Sequence, residues 1–320
     1  MTAARAEAPG TIVLEGGDAR VTVVPAHGGR VSALRVGGRE WLSPPRSSAA
    51  PSAEETVLAG GGWDECAPAA GGGSLPDGVK AQGARTTIPR GGESRLQRPS
   101  VDLQTTAEGH VLRMQWQGDA LPWTLTRTVV VRRDGVVEAK YEAVSLAKQR
   151  MPFLWSAHLL LPLSKSTRLR LPDASRFRVA GPDAGDRMPV AVTTPWPRLE
   201  SEKQVLDLSA PWTMPKNRIV QGWADLTGGR ATVQVQEGEL SLAITTDGDG
   251  VPFCGVAVDR GGLRHGARGA FARKSPPALA LAPSLGAPDR FADALGEWQS
   301  VTWLAPNEPR RWSLTFRALR

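Results

Sequence analysis

The sequence predicts an all-β protein made of many short strands, and three observations carry that prediction. Thirty-five glycines and 26 prolines are scattered through 320 residues, a composition that interrupts long helices and suits strands joined by tight turns. Apolar and polar residues alternate with a period of two in several segments, as they do where one face of a strand is buried. Turn pairs such as Asp134-Gly135 and Glu237-Gly238 stand between those segments, where positive φ favours a hairpin. The length would hold two average domains, but β-sandwiches and barrels often run past about 200 residues as one unit. With no internal repeat and no linker evident, a single domain over residues 1–320 is expected.

Taken in order, Thr11–Leu14, Arg20–Val24 and Val31–Val36 read as strands, the second ending at Pro25-Ala26-His27-Gly28-Gly29-Arg30. His27 reads as a rim residue of that turn. From about 43 to 100 periodicity fades and Pro, Gly, Ser and Ala dominate, which predicts a long irregular loop region. Leu125–Arg133 and Val136–Ser145 form a predicted hairpin, followed by one strand at Phe153–Leu163. Arg168–Leu171 and Arg176–Val179 bracket a turn at Pro172-Asp173-Ala174-Ser175, and Ala231–Gln236 with Glu239–Thr245 bracket another. Ser201–Arg218 reads as irregular. A short helix is expected near Asp289–Gln299, with Phe291, Leu295 and Trp298 on one side, and Arg311–Leu319 closes the chain as a strand.

Composition also excludes some functions. The net charge of +7 comes mostly from dispersed arginines, often alternating with apolar residues, a pattern of solvated strand faces. A nucleic-acid surface would cluster them among stacking aromatics, so no nucleic-acid partner is expected. Cys66 and Cys254 are the only cysteines and lack zinc-site spacing; they read as reduced, packed thiols, with no metal site and no cofactor. No apolar run is long enough for a membrane span, and no secretory signal is visible in the first ten residues. The expectation is a cytoplasmic protein, monomer or homodimer, with no membrane partner.

Two stretches carry the candidate chemistry. In Pro152-Phe153-Leu154-Trp155-Ser156-Ala157-His158-Leu159-Leu160-Leu161-Pro162 one imidazole stands within an apolar run, either bonded as a core histidine or poised for proton transfer. In Gly61-Gly62-Trp63-Asp64-Glu65-Cys66-Ala67-Pro68 glycines permit close backbone approach beside an indole and two carboxylates. Sugar sites combine such parts, a ring for the C–H face and acids for the hydroxyls; an ordinary turn with solvated acids has the same composition. His110 and His265 read as exposed loop residues.

These segments together resemble the aldose 1-epimerase (galactose mutarotase-like) family. Val21 to Arg30 resembles its opening strand and Gly-Gly turn, Gly61 to Pro68 its substrate loop, and Thr126-Arg127-Thr128 its central hairpin. Pro152 to His158 is similar to the strand carrying the catalytic histidine, and Gly222-Trp223 and Pro283 to Asp289 match later landmarks. The resemblance implies a large antiparallel β-sandwich with a sugar cleft on one sheet face. It also implies anomer interconversion, in which a base deprotonates the anomeric hydroxyl while an acid protonates the ring oxygen. His158 occupies the acid's place.

The departures are specific. The family's glutamate base falls at Ala282, a second histidine at Gln82, and a substrate-binding aspartate at Asn217. Three readings follow: an epimerase with a relocated base among Asp64, Glu65 or Asp259; a carbohydrate-binding protein that keeps Trp63, Arg85 and His158 as recognition groups; or a lyase or hydrolase using the same cleft. The partner in each is a small carbohydrate, free or phosphorylated, and Gln82, Asn217 and Asp259 are further candidate binding residues.

Overall fold

The computed structural model describes residues 2–5, 10–45, 50–52, 60–79, 85–107, 109–180, 193–201, 204–227, 231–262, 264–265, 273–274 and 276–320. Two antiparallel sheets dominate it. The larger has 12 strands, in the spatial order Thr2–Arg5, Ile12–Gly16, Ala19–Val24, Arg30–Val36, Trp63–Cys66, Ser156–Pro162, Ala278–Ser284, Phe253–Asp259, Ile219–Leu226, Ala174–Ala180 and Thr193–Pro195, with Arg39–Glu40 paired to Arg30–Val36. The smaller has eight strands, ordered Thr167–Arg170, Ala231–Glu237, Leu240–Gly248, Pro309–Leu319, Val137–Ser145, Trp123–Arg132, Gly109–Gln117 and Ser100–Thr106. The fold is therefore the predicted antiparallel β-sandwich.

The period-two pattern explains why the sheets pack. In Ala19–Val24, Ala19, Val21 and Val23 are buried while the residues between them are not, and in Gly109–Gln117 Leu112, Met114 and Trp116 are buried in the same way. These inner faces meet in one core that includes Leu34, Leu125, Val129, Leu314 and Phe316. Each such side chain contributes about 1.5–3 kcal/mol on full burial.

The hairpins at Asp134-Gly135 and Glu237-Gly238 form as predicted, with Trp123–Arg132 paired to Val137–Ser145 and Ala231–Glu237 paired to Leu240–Gly248. Other expectations are corrected. Thr167–Arg170 and Ala174–Ala180 lie in different sheets, so the turn between them crosses the sandwich and closes no hairpin. The single strand expected at Phe153–Leu163 is two, Met151–Phe153 paired with Thr302–Leu304 and Ser156–Pro162 in the larger sheet. The break falls where the Leu154 amide bonds to the Pro68 carbonyl and the Trp155 indole turns to Glu65.

The region from 43 to 100 contains a strand, Trp63–Cys66, in the middle of the larger sheet. Its four residues are all buried, which removes the alternation that would have marked it. The helix near Asp289–Gln299 is only Phe291–Leu295, since Gly296 follows and Trp298 packs elsewhere. Ser201–Arg218 is not wholly irregular, for Arg198–Ser201 and Gln204–Asp207 pair. His110 is buried within a strand, its Nδ1 3.0 Å from the Thr105 hydroxyl, and is not a loop residue. Among the described residues no helix is long and apolar enough to cross a membrane.

Candidate functional site

The site is built on the face of the larger sheet turned away from the core, and strand alternation decides which residues reach it. Trp63 lies 5.0 Å from Phe316 of the other sheet, centroid to centroid, so Trp63 and Glu65 point inward. Asp64 and Cys66 therefore point outward. His158 is the cross-strand partner of Asp64, and directly opposed residues share a face. The register continues level across the sheet: Leu159 opposite Leu281 and Ser156 opposite Ser284 put Ala282 beside His158. Gly255 pairs with Ala282, Trp223 with Gly255, and Arg178 with Trp223. One outward row thus reads Asp64, His158, Ala282, Gly255, Trp223, Arg178.

The row is crowded. A Cβ at Gly255 would stand 3.0 Å from the Ala282 methyl and 3.2 Å from the Trp223 indole nitrogen, so the indole lies close over the floor of the sheet. Trp223 in turn meets Trp298 edge to face at 6.0 Å, and the Arg178 guanidinium covers Trp298 at 4.0 Å while pairing with Glu297 at 2.8 Å. Asp64, Ala282 and Trp223 are 2%, 7% and 3% exposed. His158 keeps part of its surface open.

Burial pulls the His158 imidazole down from 6.5 to about 4, with Asp64 opposing the shift and Arg95 adding to it. At neutral pH the ring is therefore uncharged, with one nitrogen to donate and one to accept a hydrogen bond. His27, also partly exposed, is lowered by burial first, then by Arg30, against an upward pull from Asp64.

Asp64 is gripped on both oxygens. Arg30 Nε and Nη2 donate to Oδ1 and Oδ2 at 2.7 and 2.8 Å, and Arg95 Nε donates to Oδ2 at 3.3 Å. The fork geometry of guanidinium on carboxylate gives this pairing its strength. The Gly28-Gly29 turn makes the approach possible, since both glycines have positive φ and a Cβ at Gly28 would lie 2.1 Å from the Arg95 carbonyl oxygen. Sequence reasoning assigned neither Arg30 nor Arg95 a part in the site; pairing of Val31 with Trp63 brings Arg30 to Asp64, and Ser94, bonded to Glu65 and Ala67, brings Arg95 there.

The structure separates the remaining predicted residues. Glu65 is fully buried between the sheets, accepting from Arg127 Nη1 at 2.8 Å, the Tyr141 hydroxyl at 2.9 Å and Trp155 Nε1 at 2.7 Å. The expectation that it joins His158 is corrected, because the pleat aims it at the opposite face. Trp63 is likewise corrected as a sugar platform: it is fully buried under Phe316 and the Arg127 guanidinium. Asp259 caps a turn, Oδ1 accepting from the Gly261 and Gly262 amides at 2.9 and 2.7 Å. Arg85 is exposed and pairs with Asp119 at 2.9 Å. Asn217 is exposed in a turn at φ 60, and Gln82 lies outside the described residues. Cys66 and Cys254 are buried and unpaired, and burial raises the Cys254 thiol to about 12. Among the described residues no cluster of His, Cys, Asp or Glu could hold a metal ion.

Two large antiparallel sheets packed in this way define the class: this is the galactose mutarotase-like fold. Solved structures of that fold match along nearly the whole chain. A protein of Synechocystis sp. PCC 6803 superimposes with a TM-score of 0.65 at 19% identity, covering 96% of this chain and 95% of that one. A galactose mutarotase-like protein of Clostridium acetobutylicum gives 0.65 at 10% identity, covering 97% and 95%. The galactose 1-epimerase of Lactobacillus acidophilus NCFM gives 0.64 at 13% identity, covering 97% and 94%. No protein-family model and no curated protein matches the sequence.

Proposed function

We infer that the protein binds a monosaccharide against the outward row at His158 and does not interconvert its anomers by acid/base ring opening. The observation that carries this reading is Ala282: a methyl group, level with His158, at the position where the resemblance expects the glutamate base. The other carboxylates considered for that role are engaged. Asp64 spends both oxygens on guanidiniums, Glu65 is inside the sandwich, and Asp259 holds a turn. A relocated base is thus not supplied by any of the three.

The neutral His158 ring, with one N–H turned to its own backbone, leaves the other nitrogen to accept from a sugar hydroxyl, and the Asp64 fork holds the strand beside it. Similarity to the galactose 1-epimerase of Lactobacillus acidophilus NCFM supports a pyranose as the ligand class. Hydrolysis or elimination by two carboxylates has less support, because neither Asp64 nor Glu65 is available to act with a second acid.

Anomeric exchange spectroscopy by NMR on a panel of hexoses and hexose 6-phosphates tests the reading. Ligand signals should broaden or shift with no gain in exchange rate, and His158→Ala should abolish the shift. Ala282→Glu should introduce exchange acceleration that a second His158→Ala change removes. Acceleration by the unaltered protein, lost in His158→Ala, would overturn the binding-only reading.

A further inference from the structure

Among the described residues the eight-stranded sheet ends on an edge that is open and self-complementary. Ser100–Thr106 is its last strand, paired among the described residues only with Gly109–Gln117, and all seven of its residues are exposed. Free edges template further strand pairing, and proteins usually guard them with lysine, proline or a bulge. This strand, Ser-Val-Asp-Leu-Gln-Thr-Thr, has none of these and a single charge at Asp102.

Its apolar residues continue the core. Val101 and Leu103 stand opposite Met114 and Leu112, which are fully covered, yet Val101 and Leu103 are 40% and 43% exposed. The inner face of the sheet therefore runs one strand beyond its cover.

We propose that Ser100–Thr106 pairs with the same strand of a second copy of this chain, antiparallel about a two-fold axis at Leu103, joining two eight-stranded sheets into one. A closed two-fold contact presents the same patch from both copies, and this sequence satisfies that requirement. Leu103 meets Leu103, Val101 meets Thr105, Asp102 meets Gln104 and Ser100 meets Thr106. No like charges oppose each other. Gln104 Nε2 already donates to Asp102 Oδ2 within one chain at 2.6 Å, and the two-fold offers each the same partner across the axis. Hydroxyl pairs and amide–carboxylate pairs are favourable cross-strand neighbours.

Pairing through one short strand buries less than about 1,200 Å², the range of weak contacts, so dissociation is expected on the order of 10 µM. Sedimentation across a concentration series spanning that value should show a reversible dimer of the full chain, and Leu103→Lys should give a monomer with an unchanged melting temperature. Leu103→Cys should form an intermolecular disulfide under mild oxidation, since opposed Cα atoms lie about 4.5–5.5 Å apart and the native thiols are buried. Thr105→Cys should not, because four residues of offset separate its copies by about 13 Å. A chain that stays monomeric throughout the series, or equal cross-linking at both positions, would overturn the proposal.

Discussion

Asp64 and Glu65 are neighbours in sequence, and each carboxylate ends against arginine, yet the two pairings do different work. Glu65 faces the dry interior, where Arg127, Tyr141 and Trp155 fill its lone pairs and tie a strand of the larger sheet to two strands of the smaller. The same environment drives the Tyr141 hydroxyl well above its ordinary value, burial first and the Glu65 charge second. Asp64, one residue earlier, faces the outward row, where Arg30 and Arg95 hold it beside a histidine that still reaches solvent. The contrast teaches that one strand can carry in succession an acid that ties the two sheets and an acid of the proposed site, separated only by the pleat.

The largest effect should come from breaking the interior side. Glu65→Ala leaves a buried guanidinium, phenol and indole without their acceptor, and loss of one partner of a buried ion pair costs about 3–5 kcal/mol. Urea unfolding should show this as a lower midpoint, and Arg127→Ala should match it. A cost under about 1 kcal/mol would mean the cluster is not the tie between sheets.

On the outward side, Asp64→Asn should cost less, about 1–3 kcal/mol for imperfectly satisfied partners, but should weaken sugar binding, whereas a Glu65→Gln protein that still folds should bind normally. Paired melting and NMR titrations would separate the two. Equal losses of binding would erase the distinction drawn between the faces.

A smaller effect follows from pH. The His158 ring titrates at 6.5 when unfolded and at about 4 when folded, so between those values the unfolded chain binds more protons. Stability should be complete above about 6.5 and fall as pH drops toward about 4. His158→Gln should flatten that limb, and an unchanged slope would show that the ring is not desolvated. Sugar binding should be level across neutral pH, because His158 does not change charge there.

Much of the fold was legible because hairpins and alternation are local. Asp134-Gly135 and Glu237-Gly238 specify turns whose flanking strands could only fold back on each other. The Pro172–Ser175 turn looked no different, yet its flanks belong to separate sheets, since nothing local records which layer a strand joins. Trp63–Cys66 was hidden for the opposite reason: buried on both faces, it shows no alternation and sits among glycines and prolines.

For the site, the sequence by itself determined that a histidine lies in an apolar run and that a methyl stands where the resemblance expects a base, while Asp64 and Glu65 stood in a predicted loop with no face assigned to either. Only the tertiary structure decided which of the two shares a side with His158, and that Arg30 and Arg95 grip it. The first depends on register between strands nearly a hundred residues apart and the second on contacts some thirty residues away in sequence on either side; register is fixed by how whole apolar faces pack, a sum over many side chains that no single stretch contains.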